Sequence, residues 1–256
     1  MKVRLLFILI IVFFCGCSGG SPPDGGALTI SAAVSLKEAF DEIAALYKTK
    51  TGKSVSFNFG ASGALQRQIE TGAPVDVFAS AGAQQMDELA AKNLIDADSR
   101  RDFARNTLVL ITSNASSLNL DAFSDLAKPE VRKIAIGNPK TVPAGGYSEQ
   151  VFDKSNLKPS VQTKLILAED VRQVLDYVVR GETDAGVVYA SDVRRAAEKV
   201  RVAATAPEDA HSPILYPIAV IKDSLQKRAS QEFVDLVLSA EGQNILRKYG
   251  FTAVSR

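Results

Sequence analysis

The 256-residue sequence holds one histidine, two cysteines and no tryptophan. His211 stands alone and Cys15 and Cys17 both fall near the start, so no cluster can ligate zinc, haem or an iron–sulfur centre, and no Cys/His pair is available for nucleophilic catalysis. Neither sign of charge is in excess: 30 Lys and Arg face 29 Asp and Glu, a net +1. Without a dense basic run there is nothing to grip a phosphate backbone, which excludes nucleic acid as the partner. After the first residues no apolar run is long enough to span a bilayer. What is present, 46% hydrophobic and 23% charged residues, is the balance of a folded chain that buries a core as one large domain or as two lobes of roughly 100 residues.

The start reads as an address. Lys2 and Arg4 precede an unbroken apolar stretch from Leu5 to Phe14, too short for a membrane-spanning helix and suited to a signal peptide over residues 1–16. Without Lys2 and Arg4 the 30 basic side chains fall to 28 against 29 acidic ones, so the exported body is essentially neutral. Phe14-Cys15-Gly16-Cys17-Ser18 resembles the lipobox of bacterial lipoproteins, with Cys17 as the residue that takes the lipid and becomes the new N-terminus. Phe14 stands where Leu is usual, and a plain secretory signal with a stray thiol is the alternative. Residues 17–26, rich in Gly and Ser, read as a flexible tether. The body from residue 27 has no cysteine and therefore no disulfide.

Along the body, short β-branched runs alternate with amphipathic segments. Leu28–Ala32, Val55–Phe59, Val75–Ala79, Thr107–Thr112, Ile134–Ile136, Ala185–Tyr189 and Ile214–Ile221 read as strands. Leu36–Thr49, Leu65–Thr71, Gln84–Lys92, Val171–Val179, Asp192–Lys199, Leu225–Leu238 and Glu241–Tyr249 read as helices, and the alternation predicts α/β architecture with mostly parallel strands. Arg105-Asn106 and Tyr216-Pro217 are candidate crossings between lobes, which would divide the body into 27–106 plus 217–256 and 107–216.

Four strand-to-helix turns could carry chemistry. Ser35-Leu36-Lys37-Glu38 fits a capping box, in which Ser accepts from the backbone three residues on, but the same turn offers free N–H groups and a positive helix end to an anion. Gly60-Ala-Ser62-Gly63, Val142-Pro143-Ala144-Gly145-Gly146 and Glu169-Asp170-Val171 repeat the arrangement, with glycines that permit close backbone approach and Asp170 as a natural N-cap. Each helix end is equivalent to roughly +0.5 of a charge, so four converging on one point approach the charge of a dianion with no Lys or Arg involved. In α/β proteins ligands sit beyond the carboxyl ends of strands, where such turns lie.

Taken together, Ala32-Ala-Val-Ser35-Leu, the run Ala61-Ser62-Gly-Ala-Leu-Gln-Arg-Gln-Ile-Glu-Thr-Gly-Ala-Pro-Val-Asp76-Val-Phe-Ala-Ser80-Ala, Gly137-Asn-Pro-Lys-Thr-Val-Pro-Ala144-Gly, Ala168-Glu-Asp-Val171-Arg, Gly186-Val-Val-Tyr189-Ala-Ser-Asp and Arg247-Lys-Tyr-Gly-Phe251-Thr resemble the periplasmic molybdate-binding proteins of ABC transporters. The likeness runs from Leu28 to Thr252. It implies a type II two-lobed periplasmic-binding-protein fold, each lobe a mainly parallel sheet flanked by helices. It also implies a monomer that needs no cofactor, catalyses nothing and delivers molybdate, and tungstate with it, to a membrane permease, held at the membrane by lipid on Cys17. By the same resemblance the oxyanion is held by Ser35 and Ser62 through hydroxyl and N–H, by the N–H of Ala144 and Val171, and by the phenol of Tyr189. Every one of these contacts donates. A fully deprotonated tetrahedral dianion suits such a pocket, whereas hydrogen phosphate keeps a proton that would find no acceptor, unless the Asp170 carboxylate reached it. Sulfate has the same charge and shape, so only pocket size separates it from molybdate. The rival from another class is a Ser hydrolase using Ser35 or Ser62 with His211 and Asp209. It lacks a Gly-x-Ser-x-Gly elbow, and His211 lies in a polar turn.

Overall fold

A computed structural model describes residues 26–254. The apolar leader, Cys17 and the tether up to Gly25 lie outside the described residues. The first sheet is assembled from β1 (Leu28–Ala33), β2 (Val55–Gly60), β3 (Val77–Ala79) and β4 (Arg101–Arg105), joined by helices α1 (Lys37–Thr51), α2 (Ser62–Glu70) and α3 (Ala83–Ala91). The chain then crosses to a second sheet with β5 (Leu108–Ser113), β6 (Ile134–Gly137), β7 (Leu165–Ala168), β8 (Ala185–Tyr189) and β9 (Val200–Thr205), with α4 (Pro143–Lys154), α5 (Lys158–Val161), α6 (Val171–Val179) and α7 (Ala190–Val193) between them. It returns to the first sheet as β10 (Leu215–Val220) and finishes in α8 (Lys227–Leu238) and α9 (Ala240–Lys248).

The strand orders are β2-β1-β3-β10-β4 and β7-β6-β8-β5-β9. In each sheet the strand that has just arrived from the other one, β10 or β5, runs antiparallel to both its neighbours, and the other four share one direction. Both sheets thus have the same topology, and it brings the carboxyl ends of their parallel strands to one cleft. The return falls earlier than Tyr216-Pro217: Leu215 and Tyr216 are already on β10, paired with Arg105 and Ala104. Pro217, which has no N–H to donate, sits where the β4–β10 register shifts.

Local chemistry explains the elements that matter for the cleft. α1 buries the stripe Ala39, Phe40, Ile43 and Tyr47 against the first sheet, and it stops at Gly52, whose φ of 73° is left-handed. Phe40 anchors that core, with ring centroids 6.0, 5.8 and 5.9 Å from Phe57, Phe103 and Phe233. α6 turns Val174, Leu175 and Val178 onto the second sheet, starting at the Asp170 cap. The two cores meet at Tyr189 and Tyr216, whose ring centroids lie 5.7 Å apart. Three strands escaped the periodicity: β4, β7 and β9 are edge strands, exposed on much of their length, so their alternation is weak. The helix expected over Asp192–Lys199 is the single turn α7 followed by a 3-10 turn over Arg194–Ala196.

Candidate functional site

Each of the five oxyanion candidates lies at or soon after the carboxyl end of a strand. Ser35 lies in a 3-10 turn after β1, Ser62 is the first residue of α2 after β2, and Ala144 is the second residue of α4 after β6. Val171 opens α6 after β7, and Tyr189 ends β8. The N–H groups of first-turn residues have no acceptor within their own helix, so Ser62, Ala144 and Val171 present free amides by position alone. Ser35, Ser62, Val171 and Tyr189 line one small cavity between the two sheets, together with Val142, Pro143, Ala81 and Asp170. Ala144 sits directly behind Pro143 and is fully buried.

The side chains show which of two expected caps is made. Ser35 does not cap α1, since no side chain caps either the 3-10 turn or the helix that follows. Its Oγ instead lies 3.2 Å from the Tyr216 phenol oxygen. Asp170 does cap: its Oδ1 accepts from the N–H groups of Arg172 (2.8 Å) and Gln173 (3.0 Å), fixing the first turn of α6. No Lys, Arg or His lines the cavity among the described residues. The nearby cation, Arg172, is spent elsewhere, with Nε donating to the Val34 carbonyl at 3.2 Å and an ion pair to Glu38 at 2.5 Å.

Ala81 was not among the residues singled out from the sequence. Its N–H donates to Ser62 Oγ at 3.0 Å, and its carbonyl accepts from the Tyr189 phenol at 3.0 Å across the cleft. With a backbone donor already on its oxygen, Ser62 has its hydroxyl hydrogen left to give. The phenol of Tyr189 is bonded to protein, so it reaches a ligand only by exchanging the Ala81 carbonyl for it. Burial, reinforced by Tyr216, Tyr147 and Asp192, pushes the Tyr189 phenol well above the ordinary tyrosine range, and the buried Tyr216 phenol is pushed up as well. Both keep their protons at neutral pH. Asp192 accepts from the Tyr189 N–H at 3.1 Å, and its burial raises its carboxyl to about 7.

The two sheets touch directly around the cavity. Gly63 N–H donates to the Thr141 carbonyl at 2.9 Å, and a Cβ on Gly63 would stand 2.9 Å from both the Cα and the O of Thr141. The glycine that seemed to admit a ligand therefore admits the backbone of the turn between β6 and α4. Gly145 has a similar duty inside α4, where a Cβ would come within 1.9 Å of the Gly137 carbonyl. Asn106, at the crossing after β4, joins the network from behind: its Nδ2 donates to Tyr216 Oη at 3.2 Å and to Ser191 Oγ at 2.8 Å. These partners are about a hundred residues apart in sequence, and no local pattern announces them.

His211 is not among the residues lining this cavity, and its Nδ1 faces the carbonyl of its neighbour Ser212 at 2.8 Å. Asp209 stands beside it in a 3-10 turn, away from both serines' hydrogen bonds. The described residues do not bring Ser35 or Ser62 together with His211 and Asp209.

Two sheets of one topology, joined by two crossings and with helix amino-termini turned into a shared cleft, define the two-lobed solute-binding class. The chain belongs to the family of bacterial extracellular solute-binding proteins, whose model matches residues 28–252. It is 37% identical to YvgL of Bacillus subtilis, named as an ABC transporter substrate-binding lipoprotein, over 98% of this chain and 99% of that protein. It is 36% identical to the molybdate-binding protein ModA of Escherichia coli, over 92% of each. The solved periplasmic molybdate-binding protein of Azotobacter vinelandii superposes with a TM-score of 0.81 at 25% identity, covering 89% of this chain and all of that one. These relatives are binding proteins, and the hydrolase alternative has no counterpart among them.

Proposed function

We propose that this protein captures molybdate outside the cytoplasm and hands it to an ABC import permease. The observation that carries the reading is a cavity rimmed by first-turn amides and serine hydroxyls, with no basic side chain lining it. Preorganised dipoles of this kind stabilise a bare dianion without a counter-ion, and a relative at 36% identity is named for binding molybdate. Ser35 and Ser62 give hydroxyl and amide hydrogens, Ala144 and Val171 give amides, and the Tyr189 phenol turns from Ala81 to the anion. Tungstate, of nearly the same size, is held in the same way. Residues 27–106 with 217–256 form one lobe and 107–216 the other, apart from Leu215 and Tyr216, and the lobes close about the anion through the two crossings. Cys17 carries the lipid that keeps a monomeric body at the membrane, as the name of YvgL suggests for that relative. No step makes or breaks a covalent bond in the cargo.

Calorimetric titration of the purified protein with molybdate, tungstate, sulfate and phosphate tests this. Molybdate and tungstate are expected to bind at one site per chain, sulfate more weakly, and phosphate not at all. Equal binding of phosphate, or binding of none of the four, overturns the reading.

A further inference from the structure

We infer that Asn106 and Tyr216 form a directed hydrogen-bond relay that forces Ser35 to act as a donor, making them positioning residues for oxyanion selection. The inference rests on the binding reading above and adds to it two residues that touch no ligand. Its direction is readable from the chain. The backbone N–H of Thr107 donates to Asn106 Oδ1 at 2.9 Å, which fixes the amide so that Nδ2 is the end facing Tyr216. Nδ2 spends one hydrogen on Ser191 Oγ and the other on Tyr216 Oη, at 2.8 and 3.2 Å. A phenol oxygen that accepts has its own proton to place, and the hydroxyl 3.2 Å away on Ser35 is the acceptor in reach. If Ser35 donated instead, two donors would face the Tyr216 oxygen and the buried phenolic proton would have no partner. Ser35 Oγ therefore accepts from Tyr216, and the Ser35 hydrogen, turned away from that phenol, is left for the cavity that Ser35 lines.

The consequence is selectivity. A hydroxyl free to rotate can accept from a protonated oxyanion and turn its own hydrogen to another acceptor, whereas one that already takes the Tyr216 proton could do so only by leaving its own hydrogen without a partner. Ser62 is held the same way by the Ala81 N–H, with a backbone group in place of a relay. Asn106 lies at the crossing between the sheets, so the segment that links the lobes also sets the polarity of a ligand donor.

A double-mutant cycle on molybdate affinity, read by calorimetry, tests the relay. Tyr216→Phe is expected to weaken binding about tenfold in the wild-type background, the size of effect seen when a hydrogen bond to a charged group is impaired. In the Ser35→Ala background the same change is expected to have almost no effect, because there is no hydroxyl left to orient. Hydrogen phosphate should gain measurable binding in Tyr216→Phe and not in Ser35→Ala. Losses that multiply, with phosphate still excluded, would mean Tyr216 acts by packing alone and would overturn the relay while leaving molybdate binding intact. If Tyr216→Phe does not fold, Asn106→Ala in the same cycle carries the identical expectation and the identical refutation. Wild-type protein that binds no oxyanion at all would sink the underlying reading, and the relay with it.

Discussion

At the scale of single residues, several acceptors around the cavity already take a hydrogen from protein. Ser62 Oγ takes the Ala81 N–H, and Asp170 Oδ1 takes two amides of its own helix. Asp170 lines the cavity, and the cap holds its Oδ1 on the first turn of α6. Ser35 gives the sharpest mutational test. Ser35→Ala is expected to lower molybdate affinity by about 1.5–3 kcal/mol, the usual worth of a hydrogen bond to a charged group, as measured by calorimetry. Helix α1 should keep its stability because Ser35 does not cap it. A variant that melts earlier while binding normally would restore the capping role. Local sequence exposed these residue types well, since a strand end followed by Ser or Asp and then an amphipathic run marks a helix start. It could not say which oxygen each side chain would meet.

Secondary-structure elements decide how near the two halves come. The amino-termini of α2 and α4 face each other, and the only side chain that fits on α2 opposite the Thr141 backbone is a hydrogen. Gly63→Ala would drive its Cβ into the backbone of the β6–α4 turn, where neither side can yield cheaply, a clash of the order of 1–3 kcal/mol. Because the contact lies between lobes, the expected outcome is weaker oxyanion binding, by about tenfold or more, with little change in the melting of the separate sheets. X-ray scattering with saturating molybdate should then show a larger radius of gyration than wild type. A fully compact variant of normal affinity would show that the α2–α4 approach is dispensable. The element reading from sequence was sound for strongly periodic segments such as α1 and α6 and missed β4, β7 and β9. Those edge strands draw their definition from partners and not from their own alternation.

For the whole molecule, the joint between lobes holds a titrating group. Asp192 is 8% exposed and sits beside Tyr189, with Arg172 favouring its charge and Glu38 and Asp170 opposing it. Burial lifts its carboxyl from 3.8 to about 7, so the folded protein holds a proton that the unfolded chain has released. The stability this contributes is complete below pH 3.8, declines as pH rises, and is gone above about 7. Asp192→Asn keeps an acceptor for the Tyr189 N–H and removes the titration. The melting temperature of the variant relative to wild type is therefore expected to climb between pH 4 and pH 8, followed by calorimetry. A difference that stays flat across that range would place the ionisation elsewhere.

Sequence alone determined the alternating architecture, the neutral body and the four strand-to-helix turns, because helix periodicity, capping chemistry and charge balance act over a few residues. Tertiary structure decided the rest. The bond of Tyr189 to Ala81, the approach of Gly63 to Thr141 and the line from Asn106 through Tyr216 to Ser35 all join segments distant in the chain. Hydrogen-bond direction depends on which groups meet, and those meetings exist only once both sheets have folded and the crossings have set them face to face.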